Sequence, residues 1–431
     1  MSQYKAYPAY KDSGVEWIGQ VPEHWEVKPI CRVTSVNDDA LSDSTTGSTR
    51  ISYVDISSVG YTEGIKQATE MAFEDAPSRA RRKASTGDVV VSTVRTYLKA
   101  VAAVTDEYAD CIFSTGFAVL RARQLEQSFL KWMILNELLI QSIEAHSEGL
   151  SYPAINASAL VKLKSVIPPP EEQATIAAAL ERETARIDAL IQKKTRFIDL
   201  LKEKRQALIT HAVTKGLDPN VNMKDSGIEW IGQVPEHWEV KPFFALVTEL
   251  NRKNVGLVET NILSLSYGNI IQKPETRNMG LTPESYETYQ IVESGEIVFR
   301  FTDLQNDKRS LRSAQVTQRG IITSAYMAVK PQSIDSTYFA WLMRSYDLCK
   351  VFYAMGGGLR QSLKFEDVRR LPVLIPPVDE QSAITNTINA GTARIDALVE
   401  KTEQSITLLK ERRAAFITAA VTGQIDLRGE Q

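Results

Sequence analysis

The chain has 431 residues, 43 % of them hydrophobic and 24 % charged, and a formal net charge of −3. This balance excludes a disordered polymer, and the length exceeds what one hydrophobic core usually organises, so at least two domains are expected. The slight acidity disfavours the broad basic face with which a free-standing DNA binder neutralises phosphates; basic groups must be local, or a partner must supply them.

No apolar run reaches the ~20 residues that span a bilayer, and residues 1–10 lack the basic-then-apolar layout of a secretion signal. Residues 11–29 read KDSGVEWIGQVPEHWEVKP. Short β-rich runs come next at 51–56, 88–94, 100–104 and 117–121, then one amphipathic helix near 126–146. The segment IPPPEEQ from Ile167 opens a long helix. Proline marks its start, and Glu171 and Glu172 sit in the first turn, where carboxylates suit the helix dipole. No glycine or proline interrupts residues 171–215, so the helix is expected to run ~65 Å at 1.5 Å per residue. Apolar residues recur along it at a step near 3.5: Leu180, Ile187, Leu190, Phe197, Leu201 and Leu208. The three cysteines (Cys31, Cys111, Cys349) lie far apart, which suits a reducing cytoplasm and excludes a zinc ribbon.

At residue 224 the chain begins again. Residues 224–242 repeat residues 11–29 at eighteen of nineteen positions, an offset of 213. IPPVDEQ from Ile375 repeats IPPPEEQ at an offset of 208, and TARIDAL recurs from Thr392 after its first copy at Thr184. LLKEKRQALITHAVT returns as LLKERRAAFITAAVT, and the second helix carries Ile388, Ile395, Leu398, Leu409 and Phe416 on its apolar stripe. Between these blocks the copies diverge, although TGDVVVS faces SGEIVFR and Trp132 matches Trp341. Strands are expected at 262–265, 296–301, 311–317 and 321–329, and one helix near 337–354. A fresh duplication would leave even similarity; this pattern points to two heads free to differ, joined by parts that must stay alike.

The expected fold is α+β: two heads separated by two long antiparallel helices that pair as an intramolecular coiled coil. Lys194 at a seam position and Gly391 near the start of the second helix weaken the heptad. The expected boundaries are 1–166 for the first head with its linker, 167–218 for the first spacer helix, 219–374 for the second head and 375–431 for the second helix. Such a spacer would hold the heads a fixed distance apart.

Chemistry is harder to find. The chain has no phosphate-cradling, zinc-protease or nucleophile-elbow motif. His24 and His237 are copies of one another inside P-E-H-W, where a packed, hydrogen-bonded role outweighs that of a base. Gly356, Gly357 and Gly358 read as a turn ending a helix rather than a phosphate cradle, and Asp38-Asp39 and Glu171-Glu172 lack a metal-ligand cluster. No active site stands out.

The DSGxEWIGQVPEHWEVKP opening, the IPPxxEQ helix start and the TARIDAL helix, each present twice and in order, resemble the specificity subunits of bacterial type I restriction-modification systems. The resemblance covers nearly the whole chain. It implies two target-recognition domains, each reading one half of a split, asymmetric sequence in double-stranded DNA. It implies two methyltransferase subunits on the conserved regions, and restriction subunits that translocate DNA and cut it. Adenine methylation, with S-adenosylmethionine as donor, then belongs to the partners, with no cofactor in this chain. Consistently, the N-P-P-F or D-P-P-Y type of motif is absent.

Base reading needs directional donors and acceptors on loops that can enter a groove. In the first head STVRTYLKAV offers Arg95, Thr96, Tyr97 and Lys99, and GLSYP offers Ser151 and Tyr152. The cluster Arg79, Arg81, Arg82 and Lys83 suits phosphates, or is a solvated face. In the second head the matching hairpin offers Arg300, Thr302, Asp303, Gln305, Asn306, Lys308 and Arg309, and GLRQS offers Arg360 and Gln361. Two rival readings are a coiled-coil adaptor that binds proteins only, and a metal-dependent nuclease with unrecognised carboxylates.

Overall fold

The computed structural model describes residues 4–273, 285–304, 311–355 and 362–428. Contacts divide the chain into two compact units, Met1–Thr195 with Glu403–Gln431, and Arg196–Thr402. Each unit contains one head and a segment of each of two long helices, Pro170–Lys215 and Val378–Val421.

The first head is built on an antiparallel sheet in the order Val101–Ala103, Val89–Ser92, Phe117–Ala122, Thr34–Val36. Alternate side chains of a strand face opposite ways, and here both faces are covered. Val89 and Val91 join the core beside the helices, while Val90 joins a smaller core under a second sheet. An unbroken valine run is the expected signature of a strand buried on both sides. The second head repeats this order with Ser313–Gln315, Ile297–Phe299, Met327–Pro331 and Val247–Leu250. Ile297 and Phe299 again face one core and Val298 the other.

Three expected elements are broken in two. The helix expected near 126–146 is Gln127–Ile134 and Glu137–Ala145, because Asn136 caps the second piece by accepting from the Leu138 amide at 3.1 Å. The helix near 337–354 is Ser336–Leu348 and Val351–Met355, parted where Lys350 takes a left-handed φ of 62°. The run 321–329 divides into Gly320–Ile322 and Met327–Pro331, which belong to different sheets.

The long helices pair, but the expected heptad stripe is buried only in part. Leu190, Phe197 and Leu398, expected in the seam, are 41 %, 45 % and 39 % exposed. Leu180, Ile187, Leu201, Ile388, Ile395 and Phe416 of the expected stripe are buried. Through them runs a series of buried isoleucines, Ile176, Ile187, Ile198 and Ile209 on the first helix, and Ile384, Ile395 and Ile417 on the second. These recur every eleven residues, with half-buried Ile406 completing the second series. Eleven residues in three turns is 3.67 per turn, close to the natural 3.6, so the stripe keeps to one face of a nearly straight helix; a 3.5 step drifts off it.

TARIDAL acquires its meaning here. Thr184 and Thr392 are buried and return their hydroxyls to the carbonyls of Leu180 and Ile388 at 2.6 and 2.7 Å. Asp188 pairs with Arg413 in one unit, and Asp396 with Arg205 in the other, both at 3.0 Å. A shift of 208 residues converts one pair into the other. Gly391 is a close-approach site rather than a weakness, since a Cβ there would come within 2.4 Å of Leu208.

Candidate nucleic-acid interface

The duplicated motifs form a clamp at the base of each head. In the first unit Glu172 accepts from the Trp25 indole at 3.0 Å, the Tyr7 phenol at 3.0 Å and the His24 ring at 2.6 Å. Burial, with the carboxylate beside it, pushes the Tyr7 phenol well above its ordinary pKa, so it stays a donor. In the second unit Glu380 accepts from Trp238 at 2.9 Å and His237 at 2.5 Å. The neighbouring glutamine locks the same junction. Gln173 accepts from the Glu126 amide and donates to Pro168, and Gln381 does the same with Asp335 and Pro376. Each Gln therefore ties the start of a long helix to the start of a head helix. The histidines are hydrogen-bonded clamp members, as their setting beside tryptophan suggests.

Above the clamp, the two candidate loops of the first head come together. Val94 bridges Ala154, and the Ile155 amide donates to the Thr93 carbonyl at 2.8 Å. The segment between them is a single turn of 3-10 helix, Thr96–Leu98, with Arg95 and Lys99 in left-handed conformations on either side. Arg95 and Tyr97 are exposed, and the Arg95 guanidinium lies 4.9 Å from the centre of the exposed Tyr152 ring. Ser151 is exposed beside it. Thr96 is instead buried with its hydroxyl on Ser147 at 2.9 Å, so it builds the turn. Lys99 is bound to Glu137 at 2.5 Å, which offsets its charge internally. A cleft of about 260 Å³ beside the turn is lined by Asp55, Ser57, Arg79 and Arg95.

The basic cluster is dispersed. Arg79 and Lys83 are exposed, Arg81 covers the Phe73 ring at 4.7 Å, and Arg82 is half-buried in the strand Ala80–Lys83.

The second head shares this plan with a longer tip. The Leu363 amide donates to the Phe301 carbonyl at 3.1 Å, and Asp303 has a φ of 57°, the counterparts of Ile155, Thr93 and Arg95 at an offset of 208. Thirteen residues, 300–312, separate the sheet strands here, against eight, 93–100, in the first head. Arg300, Thr302 and Asp303 lie at the base of that loop. Gln305, Asn306, Lys308, Arg309, Arg360, Gln361 and the glycines 356–358 lie outside the described residues.

Sequence reasoning missed what holds this base. Arg312 is fully buried, donating to the carbonyls of Thr302 at 3.0 Å and Asp303 at 3.3 Å, and to the Tyr353 phenol at 3.2 Å. Its own amide donates to the Asp347 carboxylate, whose pKa burial raises. An arginine at the edge of an apolar strand was the available signal. Among the described residues no three histidine, cysteine or acidic side chains gather as a metal site, and no helix is long and apolar enough to cross a membrane.

No family model matches the chain. It is 23 % identical over 440 residues to a protein of Methanocaldococcus jannaschii described as the specificity subunit of a type I restriction enzyme, with 95 % of this chain and 96 % of that one covered. A solved chain from a type I restriction-modification (R-M) assembly aligns with a TM-score of 0.70 at 18 % identity, covering 95 % of this chain and 99 % of its own. The HsdS subunit of Thermoanaerobacter tengcongensis aligns at 0.50 and 21 %, covering 94 % and 98 %. Sequence likeness and fold likeness thus run the whole length and point to the same kind of protein.

Proposed function

We infer that the chain is the specificity subunit of a type I restriction-modification system, recognising a bipartite, asymmetric sequence in double-stranded DNA. The observation that carries this reading is the pairing of two heads of one topology, with unlike tip sequences, on two clamps built from the same duplicated Trp, His and Glu motifs. Like clamps serve a repeated partner; unlike tips serve an asymmetric target. On this reading the DNA-contacting residues are Arg95, Tyr97, Ser151 and Tyr152 in the first head and, among the described residues of the second, Arg300, Thr302 and Asp303. The chain itself performs no catalysis. Methyl transfer to adenine from S-adenosylmethionine falls to two methyltransferase subunits, and cleavage to restriction subunits, in the cytoplasm. Mapping methylated adenines in the source genome with and without this gene tests the reading; an unchanged methylation pattern refutes it.

The docking surfaces are marked by apolar residues that the seam leaves outside. Leu190 and Leu200 are exposed on the first helix, and their copies Leu398 and Leu408 are exposed on the second. Exposed leucines repeated at copied positions fit one partner bound twice. Leu190→Asp alone should leave a complex with one methyltransferase subunit, and Leu190→Asp with Leu398→Asp should leave none, as read by native mass measurement. Two subunits retained on the double variant would move the docking surface elsewhere.

A further inference from the structure

The second head contains a residue in a conformation its own backbone resists. The strands Leu263–Ser266 and Asn269–Gln272 form a hairpin whose register pairs Ser266 with Asn269, leaving Tyr267 and Gly268 as a two-residue turn. Their φ angles are 46° and 75°, the paired positive values of a turn that favours Asn-Gly. Gly268 suits the site doubly, because a Cβ there would collide with the Arg344 guanidinium. Tyr267 suits it badly. A bulky side chain at positive φ is strained, and here the ring gains no burial in return, being 81 % exposed.

The turn is also tied to the strand that follows the 300–312 loop. Arg344 donates to the Gly268 carbonyl and, at 2.9 Å, to the carbonyl of Ser313, the first strand residue after the 300–312 loop. The first head supports this placement independently. Its strand Arg50–Val54 pairs in parallel with Ile112–Ser114, as Ile262 pairs in parallel with Ile321, so the two strands correspond. Asp55 and Ser57, just past the end of Arg50–Val54, line the cleft beside Arg95. In the first head the end of this strand therefore stands beside the turn that carries Arg95, and in the second it leads into Tyr267, whose turn is tied to Ser313.

We propose that Tyr267 is a DNA-contacting residue of the second head, placing its ring against the bases of that half-site. The inference rests on the DNA-recognition reading above. An aromatic ring suits this task, since an apolar side chain in the major groove can lie against the thymine methyl group. Strain kept for binding predicts opposite signs in two measurements. In the full chain, Tyr267→Asn should raise the midpoint of thermal unfolding by a few degrees, because Asn tolerates the left-handed conformation. In complex with methyltransferase subunits, the same variant should bind cognate DNA about tenfold more weakly, while Tyr267→Phe, which keeps the ring, stays within about threefold of wild type. The wild-type complex in the same titration separates the two levels: if it shows no preference for cognate DNA, the DNA-recognition reading itself fails. If it does, and Tyr267→Asn binds with unaltered affinity, or Tyr267→Phe falls as far as Tyr267→Asn, the ring contact is wrong.

Discussion

Arg312→Ala should unfold the base of the second recognition loop and lower the stability of its unit by about 3–5 kcal/mol. The side chain is fully buried and gives separate N–H groups to Thr302, Asp303 and Tyr353. Truncation leaves two backbone carbonyls and a phenol without these donors, in a place water reaches poorly, and opens a cavity where the guanidinium stood. It also leaves the buried Asp347 carboxylate, already disfavoured by desolvation, with one nearby cation fewer. Arg312→Lys keeps the charge but cannot reach two carbonyls in a planar fork, so it should recover less than half of the loss. The functional effect comes through the loop, whose base residues Thr302 and Asp303 lose their anchors. Recognition of the second half-site should fall, while the first head retains its own. Competition with DNA altered in one half at a time reads this directly. Equal loss at both halves would show that Arg312 supports the whole chain rather than one loop. The first head needs no such residue, because its eight-residue connection closes on itself with Leu98 donating to Arg95 and Lys99 to Thr96, both at 2.9 Å.

Arg312 marks the limit of what the sequence discloses. The duplication exposed two heads, two helices and their pairing, because identical stretches can be counted without knowing any structure. The period of the seam was equally present in Ile176, Ile187, Ile198 and Ile209, yet leucines at seven-residue steps compete with it, and burial keeps Leu180 and Leu201 of that series but not Leu190 or Phe197. Boundaries failed where one polar residue decides them, as Asn136 does by capping from within an apolar run. The meeting of the two candidate loops was partly legible. Arg95, Tyr97 and Tyr152 lie on loops whose turn-forming composition showed, but whether two loops so far apart in sequence meet depends on long-range pairing that composition does not encode. Thr96 and Lys99 show the converse: polar residues in a candidate loop whose side chains are used internally. The strained turn at Tyr267 escaped because its distinction is a backbone angle.

The clamps offer an experiment that the duplication itself controls. Glu172→Ala should cost about 3–5 kcal/mol in its unit, and Glu380→Ala about 1–3 kcal/mol in the other, although both remove the same residue of the same motif. The difference lies in what each carboxylate serves. Glu172 has a side chain only 10 % exposed and accepts from two buried donors, the Trp25 indole and the Tyr7 phenol, with the Arg428 guanidinium 3.8 Å away. Arg428 also lies over the Tyr7 ring at 4.7 Å, so the chain's two ends are held through this one acid. Glu380 is 40 % exposed and accepts from one buried donor, Trp238, and from His237, which water can reach. The position matching Tyr7 at the offset of 213 is Asn220, which is exposed and bonds to Asp218 instead. Glu172→Gln and Glu380→Gln keep one acceptor oxygen and should each recover part of the loss. Hydrogen exchange of the segments around Trp25 and Trp238 reports on the two units separately, which a single unfolding midpoint of a two-unit chain does not. Equal losses at the two sites would mean that the tryptophan alone sets the strength of the clamp, and that Tyr7 and Arg428 add no stability to the first.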